Sequence, residues 1–413
     1  MITVGNDEWW RDLLIRLQRR QDLPRETVRD AWTLLWEAWQ QIDLGMLRNR
    51  FLPAKLRTIL AMRRIDPRLI MAAPTLLMGL TAKGLSRDEL AGLTDSFVDH
   101  HWFEDFMALE PPYPNTVYSN GFGGDDIKTI NVSTSAMIIA AAAGTPVFKV
   151  GSRSYFSLSG AQDFVEAIGV RPLSKPQETV DLIREIKIAY VDGVTTADES
   201  TQALGEAWTA MPDALQLMKA LTYPFRFPLL CLNPLRPKRV QRGISMLDTE
   251  VVGETLLAMH GYIELGQIVA GMDTQGRIID EVSNVGPSKI TEIRDGEMRT
   301  FTTQPEDWGV PTSSAQDLIG GDGTTNAALT LQVLACQRHG ALRDLLLVNA
   351  SQFIYLAGMA GSFKEGTDRA REAIDSGKAL LKLQEFVTQS GGDPARLQEL
   401  QRDGGILQGT ARV

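Results

Sequence analysis

The sequence contains few cysteines and few histidines. Two cysteines among 413 residues, Cys231 and Cys336, are too few for a disulfide framework and belong to no paired-cysteine motif. The four histidines form neither an HExxH metal motif nor a local signature of a Ser-His-Asp triad. We therefore expect a cytoplasmic location and a reaction that does not depend on a histidine base.

Long apolar runs and an excess of positive charge are also absent from the sequence. The longest apolar stretch, at about 136–143, is too short to cross a bilayer, and residues 1–8 lack the pattern of a signal peptide. The formal net charge is -9 at pH 7, whereas a nucleic-acid-binding surface needs a concentrated basic face. We expect neither a membrane nor a nucleic acid as a partner.

Length and hydrophobic spacing predict two domains, of which the first is helical. A chain of 413 residues is long enough for two hydrophobic cores. Up to about residue 106 the apolar residues recur with helical spacing, as Val28 and Trp32 do one turn apart. We expect a small all-helical N-terminal domain over residues 1–114, with part of about 200–230 packing onto it.

Beyond the proline-rich residues 109–115, short apolar strands alternate with helical stretches. This alternation favours a mostly parallel sheet with helices on both faces. Asp295 and Gly296 separate two strand-like segments and are a strong hairpin signal. The other predicted strands and helices are 147–149, 188–191, 267–270, 342–359 and 368–389. We therefore expect a larger α/β domain over residues 115–413.

One segment of the α/β region has the features of an anion-binding site. Residues 121–125 (GFGGD) form a loop whose glycines let backbone N–H groups approach an oxyanion closely. Residues 131–134 (NVST) open an alanine-rich helix, predicted over 135–143, whose N-terminus adds unpaired N–H donors. Lys149 and Arg153 add positive charge. Phosphate or pyrophosphate fits this set better than a neutral ligand, and the alternative is glycine turns, a Ser/Thr cap and two surface cations.

Asp280 and Glu281 are a second chemical signal. Two adjacent carboxylates in a loop suit Mg²⁺, which binds a few protein oxygens and keeps water and substrate phosphates as its other ligands. Taken alone, such a pair is more often a solvated surface feature. A substrate that carries pyrophosphate would bring Mg²⁺ with it, and the pair would then complete the anion site.

Together these segments resemble the motifs of a known enzyme family. Residues 121–125, 131–134 and 149–154 (KVGSRS) are similar to GTGGD, N-[IV]-S-T and KHGNRS of the anthranilate phosphoribosyltransferases. These enzymes belong to glycosyltransferase family 3 and share their fold with class II nucleoside phosphorylases. The likeness extends from about residue 71 to about residue 383 and includes 279–283 (IDEVS).

The resemblance implies an α/β protein whose active site lies in the cleft between a helical and an α/β domain. It implies a homodimer through the helical domain, and Mg²⁺ held by Ser133, Asp280 and Glu281. The residues that it assigns to phosphoribosyl diphosphate are Gly121, Gly124, Asp125, Thr129, Asn131, Ser133, Thr134, Lys149, Arg153, Ser154 and Ser157.

The implied reaction is displacement at the anomeric carbon of the ribose. Pyrophosphate leaves, the ribose gains oxocarbenium character, and an aromatic amine attacks, with positioning and electrostatics supplying most of the catalysis. The resemblance thus predicts a Mg²⁺-dependent phosphoribosyltransferase of tryptophan biosynthesis with anthranilate as its acceptor. The alternatives are the same donor with another acceptor, a nucleoside phosphorylase, and a non-catalytic binding or regulatory homologue.

The sequence departs from the family on the acceptor side. Val150 and Ser152 replace the histidine and asparagine of KHGNRS, and Leu217 stands where the family has an arginine for the acceptor carboxylate. The predicted acceptor pocket therefore consists of Gly121, Val150, Ser152 and Leu217. The helical domain also carries an insertion within about 36–69. Compared with the family, the motifs for the phosphoribosyl donor are retained and the residues for the acceptor differ.

Overall fold

The computed structural model describes residues 5–47, 49, 51–100, 103–154, 158–193, 226–245 and 248–406. These residues form two compact units. The first takes the described residues within Met1–Glu104, Val194–Leu232 and Glu254–Met259. The second takes those within Asp105–Gly193, Asn233–Gly253 and His260–Val413. Two predicted site residues, Ser157 and Leu217, lie outside the described residues.

The first unit is helical. Its helices are Asp7–Gln18, Arg25–Trp39, Leu44–Leu47, Ala54–Ala61, Pro67–Lys83, Arg87–Asp99 and Arg226–Cys231. Val28 and Trp32 are fully buried, as their spacing predicts. Ser86 caps the helix that follows it, because its side chain accepts the N–H of Glu89 and the Glu89 carboxylate accepts the N–H of Ser86.

The second unit contains a sheet that is eight-stranded within the described residues. Its strands are β1 (Val117–Gly121), β2 (Val147–Gly151), β3 (Ile188–Asp192), β4 (Arg239–Gly243), β5 (Leu265–Met272), β6 (Ile278–Ile279), β7 (Ser288–Arg294) and β8 (Glu297–Thr303). The spatial order is β3-β2-β1-β4-β5-β7-β8, and β6 pairs with β5. Strands β1 to β5 are parallel to one another, whereas β6, β7 and β8 pair antiparallel. The prediction of a mostly parallel sheet in an α/β protein is confirmed.

The remaining helices belong largely to the second unit. They are Glu104–Met107, Val132–Ala142, Ala161–Ala167, Pro176–Ile186, Thr249–Met259, Gly323–Leu334, Ala341–Leu356, Phe363–Asp375, Lys378–Gln389 and Pro394–Asp403, with 3-10 turns at Pro305–Trp308 and Ala315–Leu318. Within the described ranges, none of the helices combines the length and the apolar character needed to cross a membrane.

The order of the strands places a switch point between β1 and β4. The chain runs outward from β1 through β2 to β3, and then returns to the other side of β1 to form β4 and β5. In open parallel sheets the loops diverge at such a point, and ligands bind at the carboxyl ends of the strands there. The loop that follows β1 contains the predicted glycine-rich motif.

Strands β1 and β4 are missing from the sequence-based prediction because both bury polar side chains. Ser119 of β1 lies opposite Gln241 of β4, and its hydroxyl donates to the Gln241 side-chain oxygen at 2.8 Å. The fully buried guanidinium of Arg242 lies over the Tyr118 ring, 4.3 Å from its centroid. Because these polar groups satisfy one another across the strands, hydrophobic alternation does not identify either strand.

One predicted helix is wrong in its extent. The sequence predicts a single helix over 368–389, whereas the structure contains Phe363–Asp375 followed by Lys378–Gln389. Gly377 separates the two helices with a φ of 77°, in the left-handed region. That conformation ends a helix and favours glycine, so the apolar spacing alone overestimates the length.

The hairpin between β7 and β8 is confirmed and gives a first testable prediction. Its turn residues Asp295 and Gly296 have φ of 50° and 87°. A Cβ at Gly296 would meet nothing within 4 Å, so Gly296→Ala adds backbone strain alone. We expect urea denaturation to show a free energy of unfolding lower by about 1 kcal/mol. Gly361→Ala is the control, because Gly361 has no positive φ and its nearest new contact would be Glu365 Oε2 at 3.5 Å. Equal losses in the two variants would contradict the prediction.

Candidate active site

Three carboxylates meet at the carboxyl ends of the parallel strands. Asp125 lies in the loop after β1, and Asp280 and Glu281 follow β6, which pairs with the end of β5. One oxygen from each of the three lies within 4.8 Å of the others. Asp280 and Glu281 are buried and Asp125 is partly exposed. The structure therefore brings together two motifs that the sequence separates by 155 residues.

Glycines at the ends of β1 and β4 make room for Asp280. Gly121 and Gly243 lie opposite each other in the parallel pair. A Cβ at Gly121 would lie 2.6 Å from Asp280 Oδ2, and a Cβ at Gly243 would lie 1.7 Å from the Asp280 backbone oxygen. Glycine at both positions thus permits the chain at Asp280 to pass directly over the strand ends.

Backbone hydrogen bonds connect the acidic cluster, which consists of Asp125, Asp280 and Glu281, to the glycine-rich loop. The N–H of Gly123 donates to Asp280 Oδ2 at 2.6 Å, and the N–H of Asp280 donates to Asp125 Oδ1 at 2.9 Å. Gly123 and Gly124 have φ of 69° and 86°, in the region that favours glycine. The loop sequence GFGGD therefore allows the turn that brings its N–H groups to the carboxylates.

The electrostatics of this cluster suit a cation. Burial and the nearby charge of Asp280 raise the pKa of both Asp125 and Glu281 well above their usual values. Glu281 Oε2 is buried without a hydrogen-bond partner among the described residues. A buried carboxylate oxygen without a partner is costly, and a bound metal ion would supply the missing interaction.

Lys149 contributes a buried positive charge to the same site. It lies on β2 with 6% of its surface exposed, and its Nζ donates to Ser133 Oγ at 2.7 Å. Burial lowers the pKa of Lys149, while Asp280, Glu281 and Asp125 act in the opposite direction. The interaction with all three acids makes the lysine and the acidic cluster one electrostatic unit.

The helix beside this site begins earlier than the sequence predicts. The prediction starts it at Ser135 after a Ser/Thr cap, whereas the observed helix is Val132–Ala142 with Asn131 at its N-cap. Asn131 makes no side-chain capping bond, because its Oδ1 accepts from Ser159 and Asn326. Ser133 therefore lies in the first turn and reaches Lys149.

Two further predicted donor-site residues precede and follow Asn131. Thr129 forms an antiparallel bridge with Ile319, and its hydroxyl donates to the Ile130 carbonyl oxygen at 3.1 Å. Thr134 is 1% exposed within the helix. Thr129 lies between the glycine-rich loop and the helix Val132–Ala142, and Thr134 lies in the first turn of that helix. Contact with a ligand stays a prediction for both residues.

Arg153 and Ser154 are held by acids of the following helix, Ala161–Ala167. The Arg153 guanidinium pairs with Glu166 at 2.6 Å and with Asp163 at 3.3 Å. The N–H of Ser154 donates to Asp163 Oδ2 at 2.8 Å. Among the residues that the structure describes, the Arg153 guanidinium pairs with these two acids and not with the acidic cluster, so its contact with an anion stays a prediction.

The predicted acceptor pocket is described only in part. Val150 is 6% exposed within β2, and the Ser152 hydroxyl donates to the Arg153 carbonyl oxygen at 3.2 Å. Gly121 lies against Asp280, and Leu217 lies outside the described residues. The composition of the acceptor pocket therefore stays a prediction.

Several residues that shape the site do not stand out in the sequence. Gly243 ends β4 below Asp280, and the hydroxyl of Ser245 donates to the Gly123 carbonyl oxygen. Ser159 and Asn326 bind the side chain of Asn131. The one local signal was the glycine at the end of β4, and it becomes informative only when that segment is known to be a strand beside β1.

Known proteins resemble this chain over most of its length. Residues 114–380 match the family described as "Glycosyl transferase family, a/b domain". An anthranilate phosphoribosyltransferase of Leifsonia xyli is 30% identical over 398 residues, which cover 93% of this chain and 99% of the relative. The anthranilate phosphoribosyltransferase of Methanosarcina acetivorans is 31% identical over 313 residues, which cover 75% of this chain and 78% of the relative.

Solved structures of such enzymes have the same fold. The Thermus thermophilus enzyme has a TM-score of 0.64 at 23% identity and covers 92% of this chain and 99% of its own. The Saccharomyces cerevisiae enzyme in complex with PRPP and Mg has a TM-score of 0.66 at 19% identity. Its alignment covers 94% of this chain and 99% of the yeast chain. The yeast complex with 4-fluoroanthranilate has a TM-score of 0.66 at 18% identity, and its alignment covers 92% of this chain and 98% of the yeast chain. The family match over most of the second unit and the extent of these similarities show that the chain belongs to the anthranilate phosphoribosyltransferase family of glycosyltransferases.

Proposed function

We propose that this protein is a Mg²⁺-dependent phosphoribosyltransferase that transfers ribose 5-phosphate from phosphoribosyl diphosphate to anthranilate, a step of tryptophan biosynthesis. The observation that carries the proposal is the set of three carboxylates, Asp125, Asp280 and Glu281, with the buried Lys149 at the switch point of the sheet. The yeast relative that binds PRPP and Mg supports the same donor and metal.

The residues at the acidic cluster fit Mg²⁺. The ion prefers oxygen ligands and shares its coordination with substrate phosphates, and the cluster offers carboxylate oxygens of which Glu281 Oε2 has no protein partner among the described residues. We assign Asp280 and Glu281 as its protein ligands, with the Ser133 hydroxyl in the adjoining helix turn. When bound, Mg²⁺ stabilises the negative charge of the departing pyrophosphate.

The rest of the donor site is built to hold an anion. The first turn of Val132–Ala142 presents backbone N–H groups and the positive end of a helix dipole. The loop at Gly123 and Gly124 adds N–H groups. Lys149 adds a positive charge whose interaction with an anion is stronger than in water, because the side chain is buried. These groups orient the donor and stabilise the leaving group, which lets an amine attack the anomeric carbon without a histidine base.

A second candidate keeps the donor and changes the acceptor. The observation in its favour is Val150, an apolar side chain with 6% exposure that offers no hydrogen bond at a position where the family has a polar residue. Leu217 likewise offers no charge to a carboxylate. An acceptor without a carboxylate would lose nothing at these positions, whereas anthranilate would lose a charge-assisted contact.

The proposal is tested by titration followed by turnover. We expect phosphoribosyl diphosphate to bind with Mg²⁺ and to bind much more weakly in EDTA, and we expect loss of anthranilate fluorescence when both substrates are present. Donor binding without anthranilate turnover would favour the second candidate. Phosphorolysis of nucleosides, or no donor binding at all, would overturn both.

The assembly and the location of the protein are further proposals. We propose a homodimer formed through the helical domain, and we keep the division at residue 114 and the cytoplasmic location as predictions. Light scattering at micromolar concentration measures the assembly directly. A mass equal to that of one chain, 45.6 kDa, would contradict the dimer.

A further inference from the structure

We propose that Asn326 is a positioning residue for the donor site. It fixes the orientation of the Asn131 amide, so that Asn131 presents N–H donors and not an oxygen to phosphoribosyl diphosphate. The inference rests on the proposed function for the identity of that ligand. Asn326 belongs to none of the sequence motifs of the donor site and lies 195 residues from Asn131 in the chain.

The carbonyl oxygen of the Asn131 side chain is fully used inside the protein. Oδ1 accepts from Asn326 Nδ2 at 2.9 Å and from the Ser159 hydroxyl at 2.9 Å. An amide oxygen has two lone pairs, so these two donors satisfy it. The remaining polar atom of Asn131 is Nδ2, which carries two N–H donors directly before the helix that contains Ser133.

A backbone group determines which way both amides point. The nitrogen and oxygen of an amide have nearly the same shape, so only their partners distinguish them. The N–H of Gly321 donates to Asn326 at 2.8 Å, and a backbone N–H can only donate. The Asn326 atom that it meets is therefore the oxygen. The other atom, Nδ2, is then a donor, and the Asn131 atom that faces it must be the oxygen.

The segment that carries Asn326 is tied to the donor site through its backbone. The N–H of Gly320 donates to the Lys128 carbonyl oxygen at 2.9 Å, and Ile319 bridges Thr129. A Cβ at Gly320 would lie 2.6 Å from the Thr129 carbonyl oxygen and 2.7 Å from Asn326 Oδ1. Asn326 itself is 1% exposed. Its amide is thus held by close backbone packing before any ligand binds.

The orientation of Asn131 decides the sign of its interaction with an anion. With Oδ1 satisfied internally, Asn131 offers N–H groups at the N-terminus of the helix whose Ser133 accepts a hydrogen bond from Lys149, where the proposed donor places its oxygens. A reversed amide would place an oxygen there, and two acceptors that face each other repel. Asn326 therefore acts through Asn131 and touches no reacting atom.

The test is Asn326→Asp, which changes one atom of the network. The carboxylate still accepts from Gly321 but donates nothing to Asn131, so the Asn131 amide turns its Nδ2 toward the new carboxylate. We expect the dissociation constant for phosphoribosyl diphosphate with Mg²⁺ to rise about tenfold or more by titration calorimetry. Thr324→Ala, an exposed change in the first turn of the same helix, is the matched control and should leave the constant within twofold.

A double-mutant cycle separates positioning from a structural role. In an Asn131→Ala background there is no amide to orient, so adding Asn326→Asp should change donor binding less than twofold. Thermal unfolding of each variant reports its folding. If the buried carboxylate prevents folding, Asn326→Ala removes the same donor without a charge and takes its place in the cycle.

The outcomes distinguish failure of the positioning role of Asn326 from failure of the proposed function. Wild-type affinity in folded Asn326→Asp, or an equal loss in the Asn131→Ala background, would overturn the positioning role and leave the proposed function intact. A wild-type protein that binds no phosphoribosyl diphosphate would overturn the proposed function and this inference with it. A loss confined to the background that contains Asn131 supports the inference.

Discussion

Gly243→Ala is expected to abolish binding of phosphoribosyl diphosphate and to lower the free energy of unfolding by about 3 kcal/mol. The new Cβ would lie 1.7 Å from the Asp280 carbonyl oxygen and 2.8 Å from its carbon. Both are backbone atoms, so no side-chain rotation relieves the overlap. The Gly243 carbonyl oxygen also accepts the N–H of Phe122, so a shift of β4 moves the glycine-rich loop as well. Urea denaturation and calorimetric titration with Mg²⁺ measure the two effects.

Two further glycine variants provide comparisons for the loss of binding and stability in Gly243→Ala. Gly121→Ala places its Cβ 2.6 Å from Asp280 Oδ2, a side-chain atom that can rotate away, so we expect weaker donor binding with a smaller loss of stability. Gly361→Ala meets only Glu365 Oε2 at 3.5 Å and should change neither quantity. Donor affinity in Gly243→Ala equal to that of the wild type would show that the position of Asp280 does not matter for binding.

The sequence predicts the members of this site better than it predicts their supports. Asp125, Lys149 and Asp280 belong to motifs whose residue types already indicate anion and metal chemistry, and the structure brings these three together. Gly243 and Asn326 do not stand out, because their importance depends on what lies across the sheet or in another helix. Gly243 is required only because β4 ends beside β1 and beneath Asp280.

The same limit explains the errors in the elements. Apolar periodicity identifies β2 and β3, whose residues are nearly all buried, but it does not identify β1 and β4. In those strands Ser119 and Gln241 are buried as a hydrogen-bonded pair, which becomes visible only when the register is known. Local spacing likewise extends the helix across Gly377, because the positive φ of that glycine is not a property of the hydrophobic pattern.

Glu281→Gln is expected to change stability and function in opposite directions. Burial and the charges of Asp280 and Asp125 raise the pKa of Glu281. The protonated side chain therefore contributes stability to the fold, and this contribution is lost as pH rises through the raised pKa. A neutral amide avoids this loss. In EDTA at neutral pH, we expect urea denaturation to give a free energy of unfolding higher by about 1 kcal/mol. Because the carboxylate is a proposed Mg²⁺ ligand, donor affinity in Mg²⁺ should fall about a hundredfold.

Stability measured with and without Mg²⁺ separates these two effects. An ion that binds only the folded protein raises its stability, so the wild type should unfold at a higher temperature in Mg²⁺ than in EDTA, and Glu281→Gln should lose most of that difference. Glu399→Gln makes the same chemical change on an exposed turn of Pro394–Asp403 and should behave like the wild type in both buffers. A Glu281→Gln protein that is less stable in EDTA would mean that the ionised carboxylate stabilises the fold. One that keeps the full Mg²⁺ response would mean that the ion binds elsewhere. The opposite signs follow from one cause, since the buried charge that strains the metal-free protein is the charge that holds the metal.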